Sequence, residues 1–428
     1  MAGKRQKKNQ PSFVLGAILI VLLLAIILVG ATTVHRAAKS QAELANKIRT
    51  PAPAAPVAAQ DAQQSSGQEG SDEAVPEGSD ISVVIPTHTV SLMALGDNLV
   101  HNCIYWSAEQ TGGGYDFSPY FEKISETCAQ YDLACINQET IYVADPSYVS
   151  SYPVFGTPVQ MADALAGAGF DVVTHATNHC FDKGDTGLKD TITYWTENHP
   201  EVTYLGIHDS EQDAKQIRIV ESNGIKIAML NFTYGLNSGF SVQDWQVDRF
   251  TTYADVETKI AAAKEQSDFV VVFAHWGEDG NPEVTTYQRT WAKIMADAGA
   301  GLIIGSHPHL LQPMEKITAK DDRIVPVFWS LGNFLSHQQT PEEMLGGMAD
   351  VEITKDATGS YVTRAELKPT ITVIFRAETG EWYDYCPMLL EDYTEEIAAR
   401  HRWEACTVDH MQELYKKAIG EAEATPAG

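Results

Sequence analysis

FVVVFAHWG at residues 269–277 and LIIGSHPH at residues 302–309 are the two stretches that decide the fold. Each begins with a short run of Val, Ile, Leu or Phe, which is typical of a buried strand. Histidine follows each strand, His275 in the first stretch and His307 and His309 in the second. Imidazole is the commonest metal ligand near neutral pH, and loops at strand ends are where binding sites are usually built. One histidine here would more often be structural, but three at two consecutive strand ends favour a metal site.

The same arrangement recurs along the chain, because other predicted strands also end in polar residues. The further strand-end residues are Asp97, Glu139, Asn178 with His179, and Asn333. Predicted strands alternate with predicted helices, which is typical of a layered α/β fold. In such a fold the strand ends can converge on one edge of a sheet. We therefore expect six strand ends to build a single site.

The residue types at these strand ends suit divalent metal chemistry. Carboxylate and amide oxygens mixed with imidazoles are typical ligands of Zn, Mn or Fe. Two ions about 3.5–4 Å apart, bridged by one carboxylate, can bind both an attacking hydroxide and the oxygens of a phosphate. His179, next to Asn178, is a candidate general acid, and Asp182 is placed to orient its imidazole. The alternative is that His179 and Asp182 only form a turn and helix-cap network.

The chain as a whole is acidic, since 57 Asp and Glu residues against 30 Lys and Arg residues give a formal charge of -27. Binding to the phosphate backbone of a nucleic acid needs clustered Lys and Arg. We therefore exclude nucleic acid as a partner. Residues 1–12 are the exception, because they carry basic side chains and no acid.

Residues 13–34 form a continuous apolar run, FVLGAILIVLLLAIILVGATTV. The run is long enough to cross a bilayer and longer than the apolar core of a typical signal peptide. Because basic residues precede it, we expect residues 1–12 to be a cytoplasmic basic tail. We predict a transmembrane signal anchor at 13–34, in a single-pass protein of the cell membrane whose C-terminal domain is extracellular. A cleaved signal peptide is the alternative.

The rest of the chain divides into a linker, a folded domain and a C-terminal segment. Residues 35–86 are rich in Ala, Pro, Gln, Ser and acids and lack aromatic residues, so we predict a disordered linker. Residues 87–390 are predicted to form one α/β domain, and residues 391–428 a C-terminal helical segment and tail. Inside the domain, a helix is expected from Thr157 to about Gly167.

The strand-end motifs resemble those of the CapA family, in the order in which that family carries them. CapA proteins are bacterial capsule-synthesis proteins linked to poly-γ-glutamate, and the family is similar in turn to calcineurin-like metallophosphoesterases. The resemblance covers about residues 89–340. It rests on these motifs: Gly96-Asp97, Asn137-x-Glu139, Thr177-Asn178-His179-x-x-Asp182-x-Gly184, His275-Trp276-Gly277, Gly305-Ser306-His307-Pro308-His309 and Ser330-Leu331-Gly332-Asn333-Phe334.

The resemblance implies a four-layer αββα sandwich of the metallophosphoesterase type, with two divalent metal ions that would be Mn, Zn or Fe. By the same resemblance Glu139 would bridge the ions and His179 would be the catalytic histidine, supported by Asp182. The remaining ligands would be Asp97 and His309 for one ion, and Asn178, His275 and His307 for the other. Residues expected behind the ligands or against the substrate are Asn98, His101, Asn333 and Gln312.

The chain departs from the metallophosphoesterase pattern at two positions. The usual first motif is Asp-x-His, but position 99 is Leu. One ligand is therefore missing, unless His101 or water replaces it. The usual bridging Asp is replaced by Glu139, whose longer side chain could change the spacing of the two ions.

The resemblance leads to one main expectation and two alternatives. We expect a membrane-anchored extracellular protein that acts in synthesis, export or attachment of an anionic capsule polymer such as poly-γ-glutamate. Its partners would be the bilayer, other capsule-synthesis membrane proteins, and the polymer or a phosphate ester. The alternatives are a metal-dependent phosphoesterase acting on a cell-envelope phosphate ester, and a non-catalytic scaffold with a structural metal site. Whether the protein is an enzyme, a metal-dependent hydrolase, is left open.

Overall fold

The computed structural model describes residues 87–376 and 383–420. The predicted basic tail at 1–12, the signal anchor at 13–34 and the linker at 35–86 lie outside these residues. Within the described ranges, no helix combines the length and the apolar character that a membrane span requires.

The strands are given in chain order. They are β1 (His88–Asn98), β2 (Leu133–Gln138), β3 (Tyr142–Val143), β4 (Thr157–Pro158), β5 (Val172–Thr174), β6 (Thr203–Leu205), β7 (Arg218–Ser222), β8 (Ile225–Thr233), β9 (Phe269–His275), β10 (Leu302–Ser306), β11 (Leu311–Thr318), β12 (Ile324–Leu331), β13 (Asn333–Leu335), β14 (Leu345–Asp356), β15 (Gly359–Arg376) and β16 (Tyr383–Leu389).

The helices lie between the strands and after the last one. The α-helices are α1 (Asn102–Ala108), α2 (Glu122–Cys128), α3 (Gln160–Gly167), α4 (Gly184–Asn198), α5 (Glu211–Ala214), α6 (Tyr253–Gln266), α7 (Thr286–Ala298), α8 (Pro341–Met344), α9 (Glu395–Ala398) and α10 (Val408–Ala418). Short 3₁₀ helices occupy Ser118–Phe121, Pro146–Tyr148 and Leu390–Asp392.

Apart from the short pair β3-β4, the strands form two mixed sheets, which confirms the predicted α/β class. The order in the eight-stranded sheet is β16-β15-β14-β1-β2-β5-β6, with β13 beside β1, and the order in the six-stranded sheet is β11-β12-β10-β9-β8-β7. The run β1-β2-β5-β6 is parallel, and so is the run β12-β10-β9-β8. Parallel neighbours end at the same edge of a sheet, so the polar residues after these strands are brought together.

Strand β1 shows how the layers pack, because both of its faces are buried. Leu92 belongs to an apolar cluster that includes Val271 of β9, in the other sheet. Met93 points the opposite way and belongs to a cluster that includes Ile124 of α2. Trp291 of α7 covers the outer face of the six-stranded sheet in the same manner. The described residues therefore stack as helices, sheet, sheet, helices.

Two predicted elements differ from the structure. Thr157 does not open a helix, because Thr157–Pro158 pair with Tyr142–Val143 as β4 and β3, and α3 begins only at Gln160. A proline preceded by an extended residue suits a short strand as well as a helix start. The C-terminal segment is helical in two separate pieces, α9 and α10, rather than along its whole length.

Candidate metal centre

Asp97 lies at the end of β1 and is fully buried. Its Oδ1 accepts a hydrogen bond from Asn137 Nδ2 at 2.7 Å, and its Oδ2 accepts one from the backbone N–H of His307 at 3.2 Å. The residue before it must be glycine, because a Cβ at Gly96 would lie 2.0 Å from the carbonyl oxygen of Gly332. This close approach of two backbones connects the first sheet to the turn after β12 and fixes Asp97 at their junction.

Glu139 follows β2 and is also fully buried. Within the described residues, neither oxygen of its carboxylate has a hydrogen-bond partner. Oε1 lies 3.8 Å from His275 Nε2, and Oε2 lies 3.7 Å from His309 Nδ1. Burial raises the pKa of Glu139 well above its usual value, and Asp97 adds to this, while His309 opposes it. Burying a carboxylate without partners is costly, and a bound cation would remove that cost, so Glu139 is a candidate metal ligand.

The turn after β10 carries His307 and His309 with strained backbone. Their φ angles are 100° and 59°, in the left-handed region that residues with a Cβ rarely adopt. The turn directs both imidazoles toward the two carboxylates. His309 Nδ1 lies 3.1 Å from Asn333 Oδ1 and 3.3 Å from Asp97 Oδ2. Burial alone would lower the pKa of His309, but Glu139 and Asp97 raise it to about 10, and a divalent ion bound between these groups would oppose that rise.

Glu139, His307 and His309 form a group that could hold a metal ion, since one ligand atom from each lies within 4.8 Å of the others. His307 Nδ1 is buried and, within the described residues, has no hydrogen-bond partner. An unpartnered carboxylate and an unpartnered imidazole nitrogen facing one another are the donor set that a divalent transition metal prefers. The residues present therefore fit a divalent ion.

His275 and Asn178 stand on the other side of Glu139. His275 Nε2 lies 2.7 Å from Asn178 Oδ1, and its Nδ1 lies 3.0 Å from Ser306 Oγ. The rings of His275 and His307 are 4.8 Å apart between centroids. Burial holds the pKa of His275 well below its usual value, and neighbouring histidines lower it further. The neutral imidazole is the form that binds metals. All six predicted ligands thus lie in one cluster.

His179 and Asp182 form a buried pair beside this cluster. His179 Nδ1 lies 2.7 Å from Asp182 Oδ2, and the same oxygen accepts the backbone N–H of Phe155 at 2.8 Å. The ring of Phe155 packs edge-on against His179 with 4.7 Å between centroids. Asp182 therefore orients the imidazole through Nδ1, and Nε2 lies 3.5 Å from Asn237 Nδ2.

Two of the four supporting residues predicted from sequence lie at the edge of the cluster. Asn333 pairs with Asp97 in the sheet and bonds His309, and the buried Asn98 donates to Gln138 Oε1 at 2.6 Å. His101 contacts the same Phe155 ring that packs on His179.

Gln312 lies elsewhere, because its Nε2 donates to the carbonyls of Asn281 and Glu283 at 3.0 and 3.1 Å. Gln312 therefore connects the loop that contains Asn281 and Glu283 to β11. Leu99 is buried in the core, so position 99 provides no ligand atom.

Tyr234 is the main residue of the site that sequence reasoning missed. Its ring lies 4.5 Å from that of His307 and 6.4 Å from that of His275, and it is 37 % exposed. It covers the cluster from the solvent side. The sequence did carry a signal for it, since Tyr234 directly follows the last residue of β8, just as Glu139 directly follows β2 and His307 directly follows β10.

Comparison with known proteins gives a family match. Residues 91–338 match the family described as bacterial capsule synthesis protein PGA_cap. The PGA biosynthesis protein CapA of Bacillus subtilis (strain 168) is 31 % identical over 208 residues, which are 48 % of this chain and 53 % of that protein. The capsule biosynthesis protein CapA of Bacillus anthracis is 36 % identical over 180 residues, 41 % of this chain and 42 % of that protein. The chain thus spans about half the length of these curated relatives.

Among solved structures, one described as a candidate 5′-nucleotidase of Staphylococcus aureus in complex with α-ketoglutarate is 16 % identical, with a TM-score of 0.40. The match covers 65 % of this chain and 54 % of that one. A likeness at this level says nothing about activity.

Proposed function

Because the chain belongs to the bacterial capsule synthesis protein family PGA_cap, we propose that it acts in the synthesis, export or attachment of an anionic capsule polymer such as poly-γ-glutamate, and that it does so through a divalent metal centre. The relatives named for capsule or PGA biosynthesis support the polymer. The sequence motifs at the strand ends support the metal centre.

One observation carries the metal proposal: Glu139 is fully buried and both of its carboxylate oxygens lack a partner within the described residues. Glu139, His307 and His309, with Asp97 beside them, would hold one ion, and Asn178 with His275 extends the ligand set toward a second. A bound divalent ion would supply positive charge that binds and polarises carboxylate or phosphate oxygens. Tyr234 covers His307, and the close packing limits the entry of water.

The proposed location is the outer face of the cell membrane. The apolar run at 13–34 supports a single-pass anchor, and the basic residues before it support a cytoplasmic N-terminus. The acidic composition repels a polyanion at long range, so contact with the polymer has to be local and assisted by a cation. Other capsule-synthesis membrane proteins are the partners we propose for such an anchored protein.

The proposal is tested in the bacterium that encodes the chain. We expect deletion of the gene to reduce the γ-linked glutamate recovered from the cell surface, measured by amino-acid analysis after hydrolysis. Wild-type protein and the Glu257→Ala control, an exposed position on α6, should restore the polymer, and Glu139→Ala should not. An unchanged polymer level in the deletion strain would remove the proposal.

A metal-dependent phosphoesterase remains a second candidate, and the His179–Asp182 pair favours it. A buried imidazole oriented by a carboxylate at 2.7 Å beside a metal cluster is the arrangement expected of a general acid for a leaving group. We expect the purified full chain with Mn²⁺ to cleave a chromogenic phosphodiester, and His179→Asn to lower the rate 10²–10⁴-fold. No cleavage with Mn²⁺, Zn²⁺ or Fe²⁺ would exclude this activity for that substrate class and leave the first proposal standing.

A further inference from the structure

Lys183, which directly follows Asp182, is a half-buried cation beside the His179–Asp182 pair. Its Nζ donates to Ser150 Oγ at 2.6 Å. Ser150 Oγ donates in turn to the carbonyl of Val154 at 2.5 Å. Within the described residues, no Asp or Glu oxygen comes within 4.0 Å of this Nζ. An ammonium group has three donors, so Lys183 keeps charge and hydrogen-bonding capacity for a ligand.

The aliphatic part of the Lys183 side chain packs closely against the backbone of two glycines, Gly156 and Gly187. A Cβ added at Gly156 would lie 2.6 Å from Lys183 Cε, and one at Gly187 would lie 2.7 Å from Lys183 Cβ. Any larger residue at these two positions would collide with the side chain. The ammonium group is therefore positioned by its surroundings, in contrast to a lysine that swings freely on the surface.

Two exposed aromatic side chains lie close in the chain or in space to the residues that contact Lys183. Ser150 and Gly156 exchange backbone hydrogen bonds of 3.0 Å and close a loop whose outer side presents Tyr152, which is 76 % exposed. Phe240, 59 % exposed, packs over Gly184, where an added Cβ would lie 3.3 Å from its ring. Tyr152, in the loop that begins at Ser150, and Phe240, over the residue after Lys183, thus provide apolar surface in the neighbourhood of the cation.

We propose that Lys183 binds a carboxylate of the anionic polymer chain, while Tyr152 and Phe240 contact the methylene groups between successive carboxylates. This inference rests on the proposed function, since that function supplies the polymer. A γ-linked glutamate chain repeats one carboxylate and two methylene groups per residue, and a cation with exposed aromatic side chains on neighbouring segments offers a partner for each. On a protein of formal charge -27, a cation that has no ion-pair partner within the described residues offers a local attraction where the overall field repels.

The test uses the purified full chain with Mn²⁺ and two fluorescent probes, whose binding is measured by anisotropy. One probe is a γ-linked glutamate decamer, and the other is the same chain with its carboxylates converted to amides. We expect Lys183→Gln to weaken binding of the charged decamer about tenfold, as loss of a charge-assisted hydrogen bond does. The affinity for the amide chain should not change.

Further variants separate recognition from folding. Ser150→Ala should weaken binding of the charged decamer less than Lys183→Gln does, because the ammonium remains but loses its anchor. Lys189→Gln, at an exposed position of the same helix α4, should bind like the wild type. Metal content should be equal in all variants.

Wild-type binding of the charged decamer with no loss in Lys183→Gln would overturn this inference and leave the proposed function intact. No wild-type binding of either probe would overturn both. Equal losses for the charged and the amide decamer would also overturn the inference, because a recognition role for the ammonium requires the loss to depend on the carboxylate.

Discussion

At the scale of single residues, Asp182 connects the imidazole of His179 to the backbone of the loop that carries Phe155. Its Oδ2 is shared between His179 Nδ1 and the backbone N–H of Phe155, at 2.7 and 2.8 Å. Its side chain is almost completely buried. One carboxylate thus orients the imidazole and holds the loop that carries Phe155.

The Asp182→Asn variant tests this role. We expect it to lower the free energy of unfolding by about 1–3 kcal/mol, because hydrogen bonds to a buried charged acceptor are replaced by weaker ones. Urea denaturation of the purified full chain measures the change. Asp116→Asn is the matched control, since Asp116 accepts the backbone N–H of Ser118 at an exposed position and should change stability by less than about 0.5 kcal/mol. Equal effects of the two substitutions would contradict this role for Asp182.

The residues of the candidate site were largely predictable, for a physical reason. Asp97, Glu139, His275 and the histidines after β10 all lie at or directly after strand ends, and strand ends can be recognised from short apolar runs. The left-handed backbone of His307 and His309 was not predictable, because it follows from contacts with Asp97 and Asn333, which are distant in sequence. The hydrogen-bond partners of Gln312 were not predictable for the same reason, since they lie in a loop about 30 residues earlier in the chain.

At the scale of elements, the site depends on the contact between β1 and the turn after β12. Gly96 and Gly332 form this contact, where Asp97 N–H donates to the carbonyl of Gly332 at 2.8 Å. It brings β13 alongside β1 and so places Asn333 beside Asp97.

Two glycine substitutions should act in opposite directions. Gly96→Ala places a Cβ 2.0 Å from backbone that cannot yield, so we expect destabilisation of about 3 kcal/mol or more. Gly167→Ala lies at the end of α3 with nothing within 4 Å of the new Cβ, so we expect stabilisation of about 0.5–1 kcal/mol. Thermal and urea denaturation measure both. A Gly96→Ala protein as stable as the wild type would show that this contact does not constrain β1.

A second element-scale feature is the histidine that joins α5 to the segment before α6. His208 Nδ1 lies 3.4 Å from Asp213 Oδ2, and its Nε2 lies 3.1 Å from Asp248 Oδ2. Burial alone would lower the pKa of His208, but the two carboxylates outweigh it and raise the pKa. Its contribution to stability is therefore complete below the unfolded value near 6.5 and is lost as the pH rises through the folded pKa.

The effect of pH on stability can be tested with two histidines, His208 and His401, whose pKa values are shifted in opposite directions. His208→Gln should cost more stability at pH 5.5 than at pH 8.5. Burial lowers the pKa of His401, so the stability that His401 contributes is present at high pH and lost as the pH falls below about 6.5. His401→Gln should therefore cost more at pH 8.5 than at pH 5.5. Denaturation curves at both values test the pair, and parallel pH profiles for the two variants would disprove the assignment.

The strand and helix pattern was predictable where apolar periodicity was strong. Both sides of β1 are buried from Leu92 onward, so residues 92–95 form a continuous apolar run, and the same holds for residues 269–274 of β9. The pairing of Thr157–Pro158 with Tyr142–Val143 was missed, because a two-residue strand is defined by its partner and leaves no periodic signal.

At the scale of the whole molecule, the proposed anchor and the acidic folded part have to work together. Residues 13–34 would keep the domain at the membrane, and the overall negative charge would keep a polyanion away except at a local cation. We expect the full chain to remain in the membrane fraction after alkaline carbonate extraction. Deletion of residues 13–34 should release it, whereas deletion of 51–70, within the predicted linker, should not. Release of the intact full chain by carbonate would exclude the anchor.

The metal centre is the central claim, and elemental analysis of the purified full chain tests it most directly. The protein is prepared without chelator beside Glu139→Ala, His307→Ala and the exposed Glu257→Ala control, and each is reconstituted with Mn²⁺ or Zn²⁺. The account predicts bound divalent metal in the wild type and in Glu257→Ala. The metal content should be close to two ions per chain if His275 and Asn178 also bind an ion. It should be close to one ion per chain if the absence of a ligand at Leu99 disables one of the two sites. Both Glu139→Ala and His307→Ala should lose it. A wild-type protein that retains no metal after reconstitution, or a Glu139→Ala variant that binds as much as the wild type, would contradict the account.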